Sequence, residues 1–238
     1  MKSKHIWLFT ISLFWSLFAF SQEEEKEVIE EQTPRTFALR VGLDIIKPAR
    51  TQFEEDFQGL ELVGDLQLNK RLFVATEMGS EKRTQQTEQI NFSTKGSYIK
   101  LGIDYNFFNN WKGMNNALFV GVRLARSLHT HTVNNYSLYA VTQYLPVYTT
   151  EGYQTGEREQ LSTGWFEFLF GTKVQLLPNF YAGISLRMHA LLSNKQPRDF
   201  GNLYAPGFNR ITDDNKFGGS INYTLTYSLP FRFKKKVD

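Results

Sequence analysis

The chain has 238 residues, 41% hydrophobic, 15% aromatic and 21% charged, with a formal net charge of +3. Its mean hydropathy of −0.37 leaves no room for a bundle of membrane helices, each of which needs roughly 20 apolar residues. Cysteine is absent, which excludes disulfide frameworks, thiolate metal sites, cysteine nucleophiles and a lipid anchor on an N-terminal cysteine.

Residues 1–21 read as an export signal. Met1 to His5 is a basic stretch, Ile6 to Phe20 is apolar, and Ala19-Phe20-Ser21 sets small residues at the −3 and −1 positions of a cut before Gln22. Loss of this segment removes Lys2 and Lys4 and lowers the charge to +1, a balance that points to no nucleic-acid partner. Residues 22–35 open on the acidic run Gln22 to Glu31 and read as a disordered, solvated leader in the periplasm.

From Phe37 onward apolar residues recur at every second position, the period of a strand. Eight segments show it: 37–45, 60–68, 72–78, 99–107, 118–124, 166–174, 180–188 and 221–229. In the first seven an apolar face opposes one that carries glycine or charge, and in the last it opposes Ser220, Asn222, Thr224, Thr226 and Ser228. Leu60, Leu62, Leu66 and Leu68, for example, oppose Glu61, Val63, Asp65 and Gln67. The links after the even strands are short or moderate, whereas those after the odd strands are longer, roughly 47–58, 82–91, 129–163 and 193–216. Short turns at one end and long loops at the other predict an all-β fold, an eight-stranded antiparallel up-and-down transmembrane β-barrel over 36–233. Its termini, including a solvated basic tail at 234–238, would lie in the periplasm.

A soluble lipocalin-like barrel has the same alternation with its faces exchanged, so that apolar residues line a ligand cavity. Two features favour lipid outside. The polar phase carries glycines and compact ion-pairing residues, and aromatics gather toward strand ends (Phe37, Tyr105, Phe107, Phe180, Phe231, Phe233).

With the polar phase inward, the lumen holds Arg40, Lys100, Arg123, Lys173 and Arg187 against Asp44, Glu61, Asp65, Glu77, Asp104 and Glu167. An eight-stranded barrel is just wide enough for side chains to fill, so these charges must pair. A cross-linked polar plug with no open pore is the expectation. Glu167, between Arg123 and Arg187 in strand order, is the expected bridging carboxylate. Arg126 breaks the apolar phase and is expected at the outer rim.

The stretches Thr94 to Asn106 and Glu77 to Lys82 resemble the small OmpA/OmpX-like outer-membrane barrels of Gram-negative bacteria, and more closely an uncharacterised family of them, a domain of unknown function. The resemblance covers roughly 36–233 and implies fold and outer-membrane location; it supplies no activity. Ile221 through Phe233 resembles the C-terminal segment read by the barrel-insertion machinery, although Phe233 is not terminal and Pro230 removes a ladder donor. Outer-membrane lipid, lipopolysaccharide and that machinery are the implied partners. No peptidoglycan-binding domain is expected after the barrel.

For chemistry the chain offers one weak constellation. Ser127, His129 and His131 share the inward phase of strand five, with His189 and Glu167 near the same rim. Lipid A deacylases of the PagL kind pair serine with histidine, but in the order His-x-Ser and facing lipid; Ser127-Leu128-His129 reverses that order. Histidines at i and i+2 share a face but lack a third metal ligand. Hydrogen-bonded rim residues are the expectation, with no catalytic role, no metal and no cofactor.

The long loops are better candidates for function. Tyr136, Tyr139, Tyr144, Tyr148 and Tyr153 fall within 131–163 and Tyr204 within 193–216, offering apolar area with a polar handle for a surface glycan or protein. A structural or surface-interaction barrel is thus the leading expectation. A secretion or assembly component, resembling PorT-like small barrels, is an alternative; a lipid-modifying hydrolase ranks below it.

Overall fold

A computed structural model describes residues 36–69, 71–86, 90–108, 116–136, 157–196, 201–211 and 216–232. The expected signal peptide, leader and basic tail lie outside the described residues, as do Tyr139, Tyr144, Tyr148 and Tyr153. The described strands are β1 (Thr36–Asp44), β2 (Phe57–Gln67), β3 (Leu72–Gln86), β4 (Ile90–Asn106), β5 (Ala117–Tyr136), β6 (Glu157–Leu177), β7 (Phe180–Asn194), β8 (Tyr204–Ala205), β9 (Asn209–Arg210) and β10 (Phe217–Arg232). One helix, α1 (Ile46–Phe53), follows β1. Eight strands close on themselves in the order β1-β10-β7-β6-β5-β4-β3-β2, while β8 and β9 form a separate ribbon. The β1–β10 seam pairs Thr36 with Arg232, which leaves no free edge and puts both ends of the barrel chain at one rim.

The period-2 pattern dictates which face is which. Glu61 and Lys100 are 0% and 2% exposed, whereas their neighbours Leu62 and Leu101 are 54% and 55% exposed. Val41, Val74, Met78, Leu124, Phe170 and Leu186 continue the same outward apolar surface around the wall. A soluble protein does not leave such a belt bare, and a closed ladder is one of two backbone solutions that hydrocarbon accepts. The barrel is therefore of the outer-membrane kind, and the lipocalin-like arrangement, with the apolar phase inside, is overturned.

Local chemistry sets the short end. Asn69 Oδ1 accepts from the amides of Arg71 at 2.9 Å and Leu72 at 2.8 Å, closing the β2–β3 link. Between β6 and β7, Pro178 is followed by Asn179 at φ 64°, the left-handed position that a tight turn demands. At the other end the strands run further than alternation predicts. β3 and β4 consume nearly all of the expected 82–91 loop, and β5 and β6 reach Tyr136 and Glu157. These extensions are polar on both faces, as in Lys82-Arg83-Thr84-Gln85-Gln86, so they carry no alternation to read. The expected 47–58 loop contains α1, and the 193–216 loop contains the β8–β9 ribbon.

Candidate functional site

The lumen is filled in layers. Nearest the short turns, Asp65 accepts from Arg40 Nε and Lys173 Nζ, each at 2.6 Å. The Arg40 guanidinium also lies over the Phe73 ring at 4.6 Å and the Tyr181 ring at 5.5 Å.

Glu77 organises the middle layer. It accepts from Arg187 at 2.5 and 3.1 Å and from Arg123 Nε at 3.3 Å, with Lys100 Nζ 3.4 Å away. Arg123 makes its bidentate pair with Asp104, at 2.7 and 3.0 Å. Glu167 takes Trp165 Nε1 at 2.7 Å and ion-pairs with Lys100 and Arg187, each at 3.2 Å. The carboxylate spanning Arg123 and Arg187 is thus Glu77 and not Glu167, although Arg123 and Glu167 are cross-strand partners. In a closed barrel, side chains reach across the lumen, and strand order alone understates which groups meet. A cavity of only about 30 Å³ remains here, enough for a water or two.

Above it Glu61 gathers Tyr98 Oη, Asn222 Nδ2 at 3.2 Å, Lys47 Nζ at 3.3 Å and Lys100 Nζ at 3.6 Å. Lys47 was missed by the alternation because it stands on α1 and not on a strand. It reaches back into the barrel mouth and pairs with Glu81 at 2.5 Å. Burial opposes its charge, but Glu81 and Glu61 outweigh burial and raise it above the ordinary lysine range. On the outside of α1, Arg50 donates to Glu54 at 2.7 and 2.8 Å, which lowers the Glu54 carboxyl. Adding Lys47, Glu81 and Arg83, whose guanidinium lies over the Tyr204 ring at 5.6 Å, brings the inward charges described to seven of each sign. Asp44 is held by hydrogen bonds from the Ile46 amide at 2.7 Å and from Asn222 Nδ2.

The long-loop mouth is stoppered. Ribbon β8–β9 and its flanks turn down into the barrel, where Ala205, Phe208 and Ile211 pack with Tyr98, Ala125 and Trp165. Phe208 meets the Trp165 ring edge-on at 5.8 Å. Tyr204, expected on a binding surface, is 1% exposed and donates to Glu81 Oε2 at 2.9 Å; the Gly207 amide joins it there at 3.0 Å. Burial first, then the Glu81 charge, raises the Tyr204 phenol. Tyr136 closes β5 at the rim.

The rim histidines separate. Ser127 Oγ lies 3.3 Å from His129 Nδ1, and His129 Nε2 lies 3.1 Å from Asn202 Oδ1. Thr94 Oγ1 lies 2.8 Å from His131 Nδ1, and that ring stacks on Phe92 at 4.6 Å. His189 Nε2 meets Ser220 Oγ at 3.0 Å and stands 4.0 Å from Glu167. Ser127 is fully buried in the lumen wall, level with the stopper. Among the described residues no three His, Asp or Glu side chains are placed to hold a metal ion.

A family profile described as "Domain of unknown function (DUF6048)" matches residues 2–235. The chain belongs to the DUF6048 family. The curated proteins contain no match to it. Among solved structures, this DUF6048 chain is similar to Ail, the attachment invasion locus protein of Yersinia pestis, at 9% identity and a TM-score of 0.40, covering 84% of this chain and 100% of that one. It is similar too to CarO of Acinetobacter baumannii, at 9% identity and a TM-score of 0.32, covering 86% of this chain and 100% of that one.

Proposed function

We propose that the protein is an integral outer-membrane barrel with a sealed lumen, acting through what it presents at its long-loop rim and not as a diffusion channel. One observation carries this reading: buried ion pairs around Asp65, Glu77 and Glu61 cross the described lumen, and the space between the Asp65 and Glu77 layers amounts to about 30 Å³. What can vary freely on such a scaffold is the loop between β5 and β6, residues 137–156, with Tyr139, Tyr144, Tyr148 and Tyr153. Tyrosine-rich loops suit recognition of a surface glycan or protein. Tyr136 at the strand end would frame that surface, while Tyr204 belongs to the stopper.

The test compares the intact barrel with a variant whose residues 137–156 are replaced by a short Gly-Ser turn. Both are expected to migrate differently on SDS gels before and after boiling, and to give no conductance steps in planar bilayers. Arrays of glycans and surface proteins are expected to bind cells displaying the intact barrel and to lose binding to the variant. Stepwise currents from the intact barrel would overturn the sealed reading. Equal array binding by both proteins would overturn the loop assignment.

A further inference from the structure

The outer wall over β2–β5 carries a feature that neither the seal nor the rim uses. A groove of about 500 Å³ runs down the lipid-facing side, floored by Leu60, Leu62, Met78, Ile99 and Leu128 and flanked by Ser80 and Ser97. Arg126 stands in this groove, exposed, directly across from Ile99 and between the outward residues Leu124 and Leu128. Leu128, one outward position nearer the rim, is still 60% exposed, so Arg126 sits inside the apolar belt and not above it. A lone cation there is costly unless an anion meets it.

Two more cations stand at the head of the groove. Lys82 and Lys95 are exposed cross-strand partners, one outward step beyond the Ser80–Ser97 pair, or about 7 Å along the strands. Like charges directly opposite each other destabilise a ladder. Among the described residues, neither lysine nor Arg126 has a hydrogen bond or ion pair from its side chain, whereas Arg40, Lys47, Lys100, Arg123, Lys173 and Arg187 in the lumen are each ion-paired. The outward positions around them on β2–β5, Gln58, Thr84, Ser93, Thr130 and Thr132, offer no carboxylate.

We propose that this face holds one phosphorylated lipid of the surrounding leaflet. An acyl chain lies along the leucine-lined groove, and the anionic head is gripped by Lys82, Lys95 and Arg126. The charges specify phosphate over a neutral head, and the groove specifies an anchored lipid over free phosphate. The inference rests on the membrane-barrel reading.

Native mass spectrometry of the full processed protein in zwitterionic detergent tests it. The probes are a bis-phosphorylated, multiply acylated glucosamine disaccharide, the same molecule without phosphates, and inorganic pyrophosphate. One phosphorylated lipid per barrel is expected, with retention of the dephosphorylated lipid weaker by about tenfold or more. Pyrophosphate should not displace it. The K82Q/K95Q/R126Q variant, altered only on the outer wall, should lose that preference while keeping its unboiled gel mobility. Ser97→Phe, which fills the groove, should lower retention of both lipids. Equal retention by wild type and the triple variant overturns the proposal, as does displacement by pyrophosphate. A dimer mass that vanishes in the triple variant would instead assign the face to a second copy. A protein that neither inserts into vesicles nor shifts on boiling would overturn the membrane reading itself.

Discussion

The lumen charges can be organised by net balance or by local geometry, and two single residues separate these. Glu77→Gln and Asp44→Asn each remove one carboxylate charge from the lumen. If balance governed stability, the two changes would be alike. Glu77, however, is the meeting point of Arg123, Arg187 and Lys100, while Asp44 is satisfied by the Ile46 amide and Asn222. Removing one member of a buried network strands its partners, at a cost of about 3 kcal/mol or more. An asparagine at 44 keeps an oxygen for the Ile46 amide but turns its amide nitrogen toward Asn222 Nδ2, which retains Glu61 as acceptor, so the change is expected to cost about 1 to 2 kcal/mol. Urea unfolding from lipid vesicles, followed by loss of the fast-migrating gel band, measures both. Equal midpoints would mean that bulk charge and not pairing holds the lumen. The sequence showed which residues face inward because a period of two leaves no choice. It could not show their partners, since the cross-strand neighbours Arg123 and Glu167 pass each other by, and Arg187 on β7 reaches across the lumen to Glu77 on β3.

At the scale of elements, the stopper is what alternation misses. Tyr204, Phe208 and Ile211 follow no strand or helix period, and the ribbon holding them has two residues per strand. Its docking depends on close approach to Tyr98. Gly207 has φ +81°, and a side chain there would put Cβ 2.8 Å from the Tyr98 ring, which is itself fixed by Glu61. On the far side, Gly79 would strike the same ring if it carried a Cβ. Gly207→Val therefore combines a forbidden backbone angle for a β-branched residue with a clash, and is expected to release the ribbon. Trp165, fully buried beneath Phe208, reports the event. In a chain that starts at Gln22 and carries Trp111→Phe, its emission should shift to the red, while the unboiled gel mobility stays that of a closed barrel. Unchanged emission would mean that the ribbon is not held by this contact. Helix α1 escaped for a related reason: its eight residues include Pro48 and bury no apolar face, so Lys47 gave no periodic sign of entering the mouth.

For the whole molecule the question is which barrier makes the barrel tight, the stopper or the paired layers beneath it. The stopper is an insertion between β7 and β10, held by an apolar cluster and by Glu81, Asn194 and Thr163. The layers beneath are built from the strands themselves. Glu77, Glu61 and Glu167 on three strands tie Lys100, Arg123 and Arg187 on three others, so six of the eight wall strands contribute to closing the bore. An ion crossing would have to displace buried pairs whose separation exposes charge to a low-dielectric interior. Replacing residues 197–215 with a short Gly-Ser link removes the stopper and leaves the strands intact. The resulting barrel is expected to stay non-conducting in planar bilayers, although Trp165 becomes accessible to aqueous quenchers. Adding Glu77→Gln to the same deletion should admit small, short-lived currents, because the layer then loses its central acceptor. Steady currents from the deletion alone would place the seal in the stopper and make the ribbon a gate. Silence in both, with Trp165 quenched, would mean that side-chain volume blocks the bore without help from charge.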